Sequence, residues 1–363
     1  MYSTLDKWDS LASTSNLQNN AVGRDVVAAA CLLRTSSALR TKIRKNDQIY
    51  SMEKWLREVI TQNPDWEGKE FFSKEVEEAS LVLGNFRAYD AEMDNRNFFT
   101  RDKNGKLSKS IAMRLNFIRT LTATVGSTKE IEMVVLELLL MAKGKVGKKP
   151  ISFKNLDKYL CDVERLALWM ALSRPSAQLR YNRCFELLDV IQGTTKNEDF
   201  IAITQEEQSM LREELVCFEF GQSASGRKIA TAILGRLNAH LLHESKEDPP
   251  LSSALHLEHV LPLKGTKKMW GDDWPDQDDR EKWVHRLGNL VLLSNKGSAK
   301  DVKMDFNTKK ERFMTESLPL TNNVADMDAW NKGEHFPSSR CPLEILFYSL
   351  LINPLLQNYY DYI

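Results

Sequence analysis

The sequence predicts a mainly α protein of 363 residues, in which a multi-helix domain precedes a small strand-strand-helix unit and a C-terminal helical tail. Apolar residues recur at intervals of three and four along most of the chain, as in helices that bury one face. Ser and Thr residues precede several of these runs, in the position of helix caps. Two short apolar runs, 255–261 and 290–293, have the length of strands. We expect domains at 1–245, 246–316 and 317–363.

The helices are predicted in chain order from these runs and caps. They are expected from Asp25, from Ser51, after Ser73, after Ser108 or Ser110, over 131–142 behind a capping box that starts at Ser127, over 156–172, over 177–191 up to Gly193, from a capping box at Thr204 to Cys217, over 228–242, and from Pro342. On the helix 177–191, Arg180 and Arg183 are expected on an exposed side, where they either contact nucleic acid or are simply solvated.

Composition excludes few classes of function. The 42% hydrophobic and 28% charged fractions are ordinary for a globular protein. Because 50 Lys and Arg balance 50 Asp and Glu, any nucleic-acid binding must depend on a local patch. The best candidate for such a patch is a set of basic residues around 255–310. The alternative is that these residues form an ordinary solvated face, whose charge is partly cancelled by Asp272, Asp273, Asp276, Asp278 and Asp279. The set comprises Lys264, Lys267, Lys268, Arg286, Lys296, Lys300, Lys303, Lys309 and Lys310.

The five cysteines predict a reducing compartment. Their number is odd, they are scattered, and no C-x-x-C pair occurs, so we expect mostly buried free thiols. The N-terminus lacks a secretory signal pattern, and no apolar run is long enough to cross a membrane. We therefore expect a cytoplasmic protein without a membrane partner.

The strand-strand-helix unit contains the residues with the clearest chemical meaning. Alternation along the first strand places His256 and Glu258 on one face and His259 on the other, before Pro262 ends the strand. The turn at Gly288 and Asn289 opens the second strand. A helix is expected after it, capped by Asn307.

Three segments in this unit carry a family resemblance. E-H-V-L-P at 258–262, L-G-N-L-V-L-L at 287–293 and F-x-x-K at 306–309 resemble, in this order, the HNH (ββα-metal, His-Me finger) endonuclease domain of GmrSD-type modification-dependent restriction enzymes. The resemblance implies a metal-dependent endonuclease that hydrolyses DNA phosphodiester bonds in a prokaryotic anti-phage restriction system. It also implies one divalent metal ion, Mg²⁺ or alternatively Mn²⁺.

Phosphodiester hydrolysis requires a base for water and a cation for the charge on phosphate. A neutral imidazole accepts protons near neutral pH, and carboxylate oxygen is a ligand that Mg²⁺ prefers. The resemblance implies His259 as the base, Asn289 as the residue that braces its loop, and Glu258 as a metal ligand. The family pattern has a further Asn ligand where this chain has Ser298, and Asn295 and Asp301 remain alternatives. The expected phosphate contacts are Arg286, Lys309 and Lys264.

Such nucleases act with a sensor or NTPase module, and this sequence contains no Walker A phosphate loop. The resemblance therefore implies DNA as one partner and a sensor or NTPase domain or subunit, absent from this chain, as another. Two rival functions remain open. The chain is alternatively a non-cleaving DNA- or partner-binding module with a degenerate HNH finger, or an RNA-cleaving nuclease.

Overall fold

The computed structural model of the protein describes residues 77–87, 108–128, 130–144, 150–193, 202–244, 255–263, 274–294, 304–328 and 330. Over these residues the chain is mainly helical, with one two-stranded antiparallel sheet, which confirms the predicted fold class. The helices expected from Asp25, Ser51 and Pro342 lie outside the described residues, as does the Ser73 cap.

In the described residues, seven α-helices precede the first strand. The elements are α1 Glu77–Arg87, α2 Lys109–Thr124, α3 Ile131–Ala142, α4 Phe153–Ser173, α5 Ala177–Ile191, α6 Gln205–Cys217, α7 Ala224–Glu244, β1 His256–His259, α8 Gln277–Val284, β2 Leu290–Leu293, α9 Phe306–Phe313 and α10 Pro319–Ala325. None of the described helices combines the length and apolarity that crossing a bilayer requires.

The chain divides into two compact units. The first comprises 1–89, 127–163 and 175–200, and the second comprises 90–126, 164–174 and 201–363. The strand pair and the residues of the candidate site all belong to the second unit. The expected boundaries at 245 and 316 stay predictions.

In the first unit, α3 packs against α1 and α5 and is buried along nearly its whole length. The capping box predicted at Ser127 is wrong, because Glu130 occupies the N-cap position without a side-chain cap bond. The Glu130 carboxylate instead accepts a hydrogen bond from Arg180 Nη2 at 2.8 Å. Arg180 and Arg183 are therefore largely buried and ion-paired within the protein, not solvated.

In the second unit, α7 packs against α2, α10 and both strands. The predicted caps are confirmed: Ser108 precedes α2, and Thr204 forms a capping box with Glu207 at the start of α6. These caps satisfy first-turn N–H groups that would otherwise lack partners.

A buried ion triad also lies in this unit. The Glu164 carboxylate contacts Arg114 and accepts a hydrogen bond from Arg236 Nε at 2.6 Å. Burial raises the pKa of Glu164, but the two guanidinium groups outweigh burial, so the pKa is lowered overall.

The sheet is formed as predicted. β1 pairs antiparallel with β2, so that His256 lies opposite Leu293 and His259 opposite Leu290. The apolar core around this sheet includes Val260, Leu261, Trp274, Val284, Val291, Leu293, Phe306, Phe313, Val324, Ala325 and Trp330. One detail is corrected: Asp305, whose side chain accepts from Thr308 N, caps α9 in place of Asn307.

The described cysteines are free thiols. Cys184 is fully buried, and burial raises the pKa of its thiol. Cys161 is half-buried, and Cys217 is exposed, because it lies in the last turn of α6, which buries its Leu211 and Leu215 side instead. Cys31 and Cys341 lie outside the described ranges.

Candidate active site

The strand-strand-helix unit, predicted over 246–316, is called the finger below. The end of β1 is anchored to two later segments of it. The Val260 N–H donates to the Asn289 carbonyl at 2.9 Å, and the carbonyl of His259 accepts from Lys309 Nζ at 2.5 Å. The backbone that carries His259 is thus tied to the turn before β2 and to helix α9. The structure brings together four of the residues predicted for the site: Glu258, His259, Asn289 and Lys309.

The Asn289 side chain is committed to holding this backbone. Its Oδ1 accepts hydrogen bonds from Leu261 N at 2.9 Å and from Trp330 Nε1 at 3.2 Å. Its Nδ2 donates to the Val284 carbonyl at 2.9 Å. Asn289 is 1% exposed, so it contributes to the site by bracing the chain after His259 and not by reaching a substrate.

Glu258 is held by an ion pair. Lys309 Nζ lies 2.9 Å from Glu258 Oε1, with 3% of the Lys309 side chain and 17% of the Glu258 side chain exposed. The Lys309 ammonium therefore faces the carboxylate and the His259 carbonyl and is turned away from solvent. Among described residues, Glu258 Oε2 has no hydrogen-bond partner.

The His259 ring faces Gly221 and a second imidazole. His259 Nε2 and His285 Nδ1 are both buried without a hydrogen-bond partner among the described residues. The two ring centroids are 5.7 Å apart with an interplanar angle of 74°. A Cβ atom on residue 221 would lie 2.8 Å from each of these nitrogens, so only glycine fits. The Gly221 N–H donates to the His285 carbonyl at 2.9 Å, which fixes this close approach.

Both histidines are held in the neutral form at neutral pH. Burial, with the positive potentials of His285, Lys309 and Arg227, lowers the pKa of His259 to about 4. Burial and Arg227 lower the pKa of His285, against the opposing effect of Glu219. A neutral imidazole has a lone pair available, so His259 is in the form that accepts a proton.

Arg227 is a cation beside this pair. It lies in the first turn of α7, is exposed, and donates from Nη1 to the Gly221 carbonyl at 3.2 Å. Its guanidinium is close enough to act on both rings. An exposed guanidinium beside a neutral histidine can bind an anionic group that approaches the histidine.

The other predicted cations are placed differently. The Arg286 guanidinium carbon lies 4.3 Å from the centroid of the Trp283 ring, and Nε donates to the Lys282 carbonyl. Lys310 Nζ donates to the Met327 carbonyl at 2.6 Å. The described part of the predicted basic patch is therefore partly turned inward, at Lys309 and Lys310.

The chemistry of the described residues fits one ligand of a hard cation. Glu258 offers a half-buried carboxylate with one oxygen not hydrogen-bonded to described residues. Where the structure describes the chain, no group of three or more His, Cys, Asp or Glu side chains is arranged to hold a metal ion. Asn295, Ser298, Asp301 and Lys264 lie outside these residues.

Sequence reasoning missed Gly221, Arg227 and His285. The first two precede the finger motifs in the chain, and His285 stands just before the L-G-N-L segment without belonging to it. The available signal was a glycine directly after the alternating segment Phe218-Glu219-Phe220, because an isolated glycine in a strand-like pattern often marks a close backbone approach.

Comparison with protein families agrees with the resemblance indicated by the motifs. Residues 205–334 match the family described as GmrSD restriction endonucleases, C-terminal domain. The matched range contains α6, α7, both strands, α8, α9, α10 and every described residue of the site. No curated protein matches the chain significantly.

Proposed function

We propose, from the match of residues 205–334 to the C-terminal domain of the GmrSD restriction endonucleases, that this segment is an HNH endonuclease. It hydrolyses DNA phosphodiester bonds with a divalent metal ion, as the nuclease part of a prokaryotic anti-phage restriction system. The observation that carries the proposal is the neutral imidazole of His259 directly after Glu258, on a strand end held by Asn289 and Lys309.

His259 is the general base in this proposal. Gly221 and His285 enclose its Nε2, so Nδ1 is the ring atom assigned to the substrate water. The water oxygen attacks phosphorus while His259 Nδ1 takes the water proton, and the ester oxygen leaves with the bonding electron pair. A positioned base of this kind contributes about 10²- to 10⁴-fold to a rate.

Glu258 is the proposed ligand of Mg²⁺ or Mn²⁺, with a second ligand from Ser298, Asn295 or Asp301. When bound, the cation neutralises charge on the phosphate and on the leaving oxygen. Lys309 holds the Glu258 carboxylate at the strand end, where a ligand is needed. Because the ammonium competes with a cation for this carboxylate, Lys309 also sets how tightly a metal binds.

The phosphate contacts are assigned first to Arg227, which is exposed and acts on the pKa of both histidines. Arg286 and Lys264 remain further candidates. Lys309 is buried on Glu258, which supports a role in placing the carboxylate over direct phosphate binding.

The test is cleavage of supercoiled plasmid by the purified full chain with Mg²⁺, with Mn²⁺ and with EDTA. We expect nicking with metal that EDTA stops and that His259→Ala reduces by about 10²-fold or more. His256→Ala is the matched control, because His256 lies on the opposite face of β1. Equal nicking by the wild type and His259→Ala would refute the assignment of the base.

A non-cleaving DNA-binding module is the second candidate. The ion pair between Glu258 and Lys309 favours this function, because the Lys309 ammonium already balances the charge of the proposed metal ligand when no metal is bound. DNA retention without cleavage under every metal condition would support this function. Cleavage of RNA but not of plasmid in the same assay would support an RNA-cleaving nuclease.

The proposal includes a partner and a compartment. A sensor or NTPase domain or subunit would direct the nuclease, since the sequence lacks a Walker A loop of its own. A cytoplasmic location is supported by the free thiols of Cys161, Cys184 and Cys217.

A further inference from the structure

Two ring nitrogens at Gly221 form an unusual pair. His259 Nε2 and His285 Nδ1 are both buried without a partner in the described part of the chain, and both face the position of the absent Gly221 side chain. Leaving a buried polar atom without a hydrogen bond costs about 1 to 3 kcal/mol. Two such atoms beside one glycine are more economically explained by one shared partner than as independent defects.

The chemistry of neutral imidazole decides how they pair. Each neutral ring has one N–H donor and one lone-pair acceptor, so a water that accepts from one ring and donates to the other satisfies both nitrogens. His285 is half-exposed, and its Nε2 is not among the buried atoms without a partner. The Glu219 carboxylate acts on this ring. A proton on His285 Nε2 is therefore accommodated by solvent, which leaves the lone pair on buried Nδ1.

We propose that His285 is a positioning residue: one water beside Gly221 accepts a hydrogen bond from the Nε2–H of His259 and donates one to the Nδ1 of His285. This bond fixes His259 in the tautomer whose lone pair is on Nδ1. The hydrogen bond that one ring nitrogen makes sets which nitrogen carries the proton. The catalytic consequence rests on the proposed function, whereas the hydrogen bond itself does not.

Gly221 makes the pairing possible. The Gly221 N–H donates to the His285 carbonyl at 2.9 Å, and the two ring nitrogens each lie 2.8 Å from the point where a Cβ of residue 221 would be. A water beside Gly221 within reach of both nitrogens would have two imidazoles as partners, which meets the minimum that a buried water requires. The neighbouring Gly226 is also needed for space, since its Cβ would lie 2.6 Å from the Phe220 carbonyl oxygen.

The experiment is ¹⁵N NMR of the full chain labelled at histidine, in EDTA at neutral pH. The chain has six histidines, and the His259→Gln and His285→Ala spectra assign the two signals. We expect His259 to show a protonated Nε2, with its proton protected from exchange, and an unprotonated Nδ1. In His285→Ala the protected proton disappears and the ring nitrogens shift towards the averaged values of a free imidazole.

A second variant separates the hydrogen bond from folding. In His285→Asn the side-chain amide oxygen would lie near the place of the Nδ1 acceptor, so this variant should restore the protected proton. A His259 ring with protonated Nδ1 in the wild type, or a protected proton that survives in folded His285→Ala, would overturn the proposal. If the wild type cleaves DNA, we expect kcat to fall about 10- to 100-fold in His285→Ala with KM unchanged. If it does not cleave, the NMR result still decides the hydrogen bond.

Discussion

Gly221 is a residue at which the site has no room for a side chain. A methyl group there would meet His259 Nε2 and His285 Nδ1 at 2.8 Å and the His285 Cα at 3.3 Å. Gly221→Ala must therefore displace both rings, which we expect to cost about 1 to 3 kcal/mol of folding free energy. We also expect cleavage to fall by about 10-fold or more, because a base must stay within hydrogen-bond reach of its water. Plasmid nicking and urea unfolding measure the two effects.

Gly235 provides the matched control for this substitution. It lies in helix α7, which begins shortly after Gly221, and its added Cβ would meet only Leu292 Cδ1, at 3.9 Å. Because glycine is unfavourable inside a helix, Gly235→Ala should stabilise the protein by about 0.5 to 1 kcal/mol and leave cleavage unchanged. Similar losses of activity in Gly221→Ala and Gly235→Ala would show that the effect of Gly221→Ala does not come from crowding of the two histidines.

The pH dependence of stability tests the burial of His259. Its pKa is about 4 in the folded protein, below the ordinary value of 6.5, so the unfolded chain takes up this proton first. The contribution of a neutral His259 is thus fully present above pH 6.5 and is lost as the pH falls from 6.5 towards 4. In EDTA, we expect the free energy of unfolding to fall more steeply over this range in the wild type than in His259→Gln. Parallel curves would contradict the burial of the ring.

The turn before β2, Leu287–Asn289, depends on the side chain of one residue, Asn289. Asn289 supplies the partners of Leu261 N, Trp330 Nε1 and the Val284 carbonyl. Asn289→Ala removes these three buried hydrogen bonds, so we expect a loss of about 2 to 4 kcal/mol in the free energy of unfolding. Exposed Asn323, on α10, is the control, and Asn323→Ala should change stability by less than about 0.5 kcal/mol. Equal effects would refute the bracing role.

Local patterns predicted the elements well where the deciding contacts are close in sequence. The strand at His256, the turn at Gly288 and the Thr204 capping box all depend on neighbouring residues. Ser127 failed as a cap because Glu130, the other member of the predicted box, pairs with Arg180 on another helix. Local propensity cannot foresee such a tertiary contact.

Only those residues of the candidate site that belong to the finger motifs could be predicted from the sequence. His259, Glu258 and Asn289 belong to these motifs, whereas Gly221 and Arg227 come from the segment before the finger. They meet His259 because α7 packs against both strands. Sequence spacing carries no information about that packing, so the roles of Gly221 and Arg227 at the site could not be predicted from the sequence.

For the whole molecule, the balance of 50 basic and 50 acidic residues means that the proposed DNA binding would depend on individual cations. Arg227 is exposed beside the histidine pair, so Arg227→Gln should weaken DNA binding and reduce the slope of log affinity against log salt concentration by about 1. Lys228→Gln is the control, because Lys228 is also exposed and follows on the same helix but does not act on the pKa of either ring. Fluorescence anisotropy with His259→Ala as the background measures binding without cleavage. Equal slopes for both variants would remove Arg227 from the interface.

Each of the two compact units is built from three segments that are not consecutive in the sequence. The second unit combines the finger with α2, α6, α7 and the second half of α4, and the family match falls within it. The buried triad of Arg114, Glu164 and Arg236 joins three of these helices. The nuclease proposal therefore concerns a unit larger than the finger itself, and the helices before the finger contribute residues to its site.

The central claim is that His259 and a cation on Glu258 act on the same phosphate, and a double-mutant cycle on cleavage tests it most directly. Single-turnover rates with Mg²⁺ would be measured for wild type, Glu258→Ala, His259→Ala and the double variant. We predict that each single change costs about 10²- to 10⁴-fold and that the double change costs little more, because groups that stabilise one transition state are not additive. Losses that multiply in the double variant, or full activity in either single variant, would contradict the account.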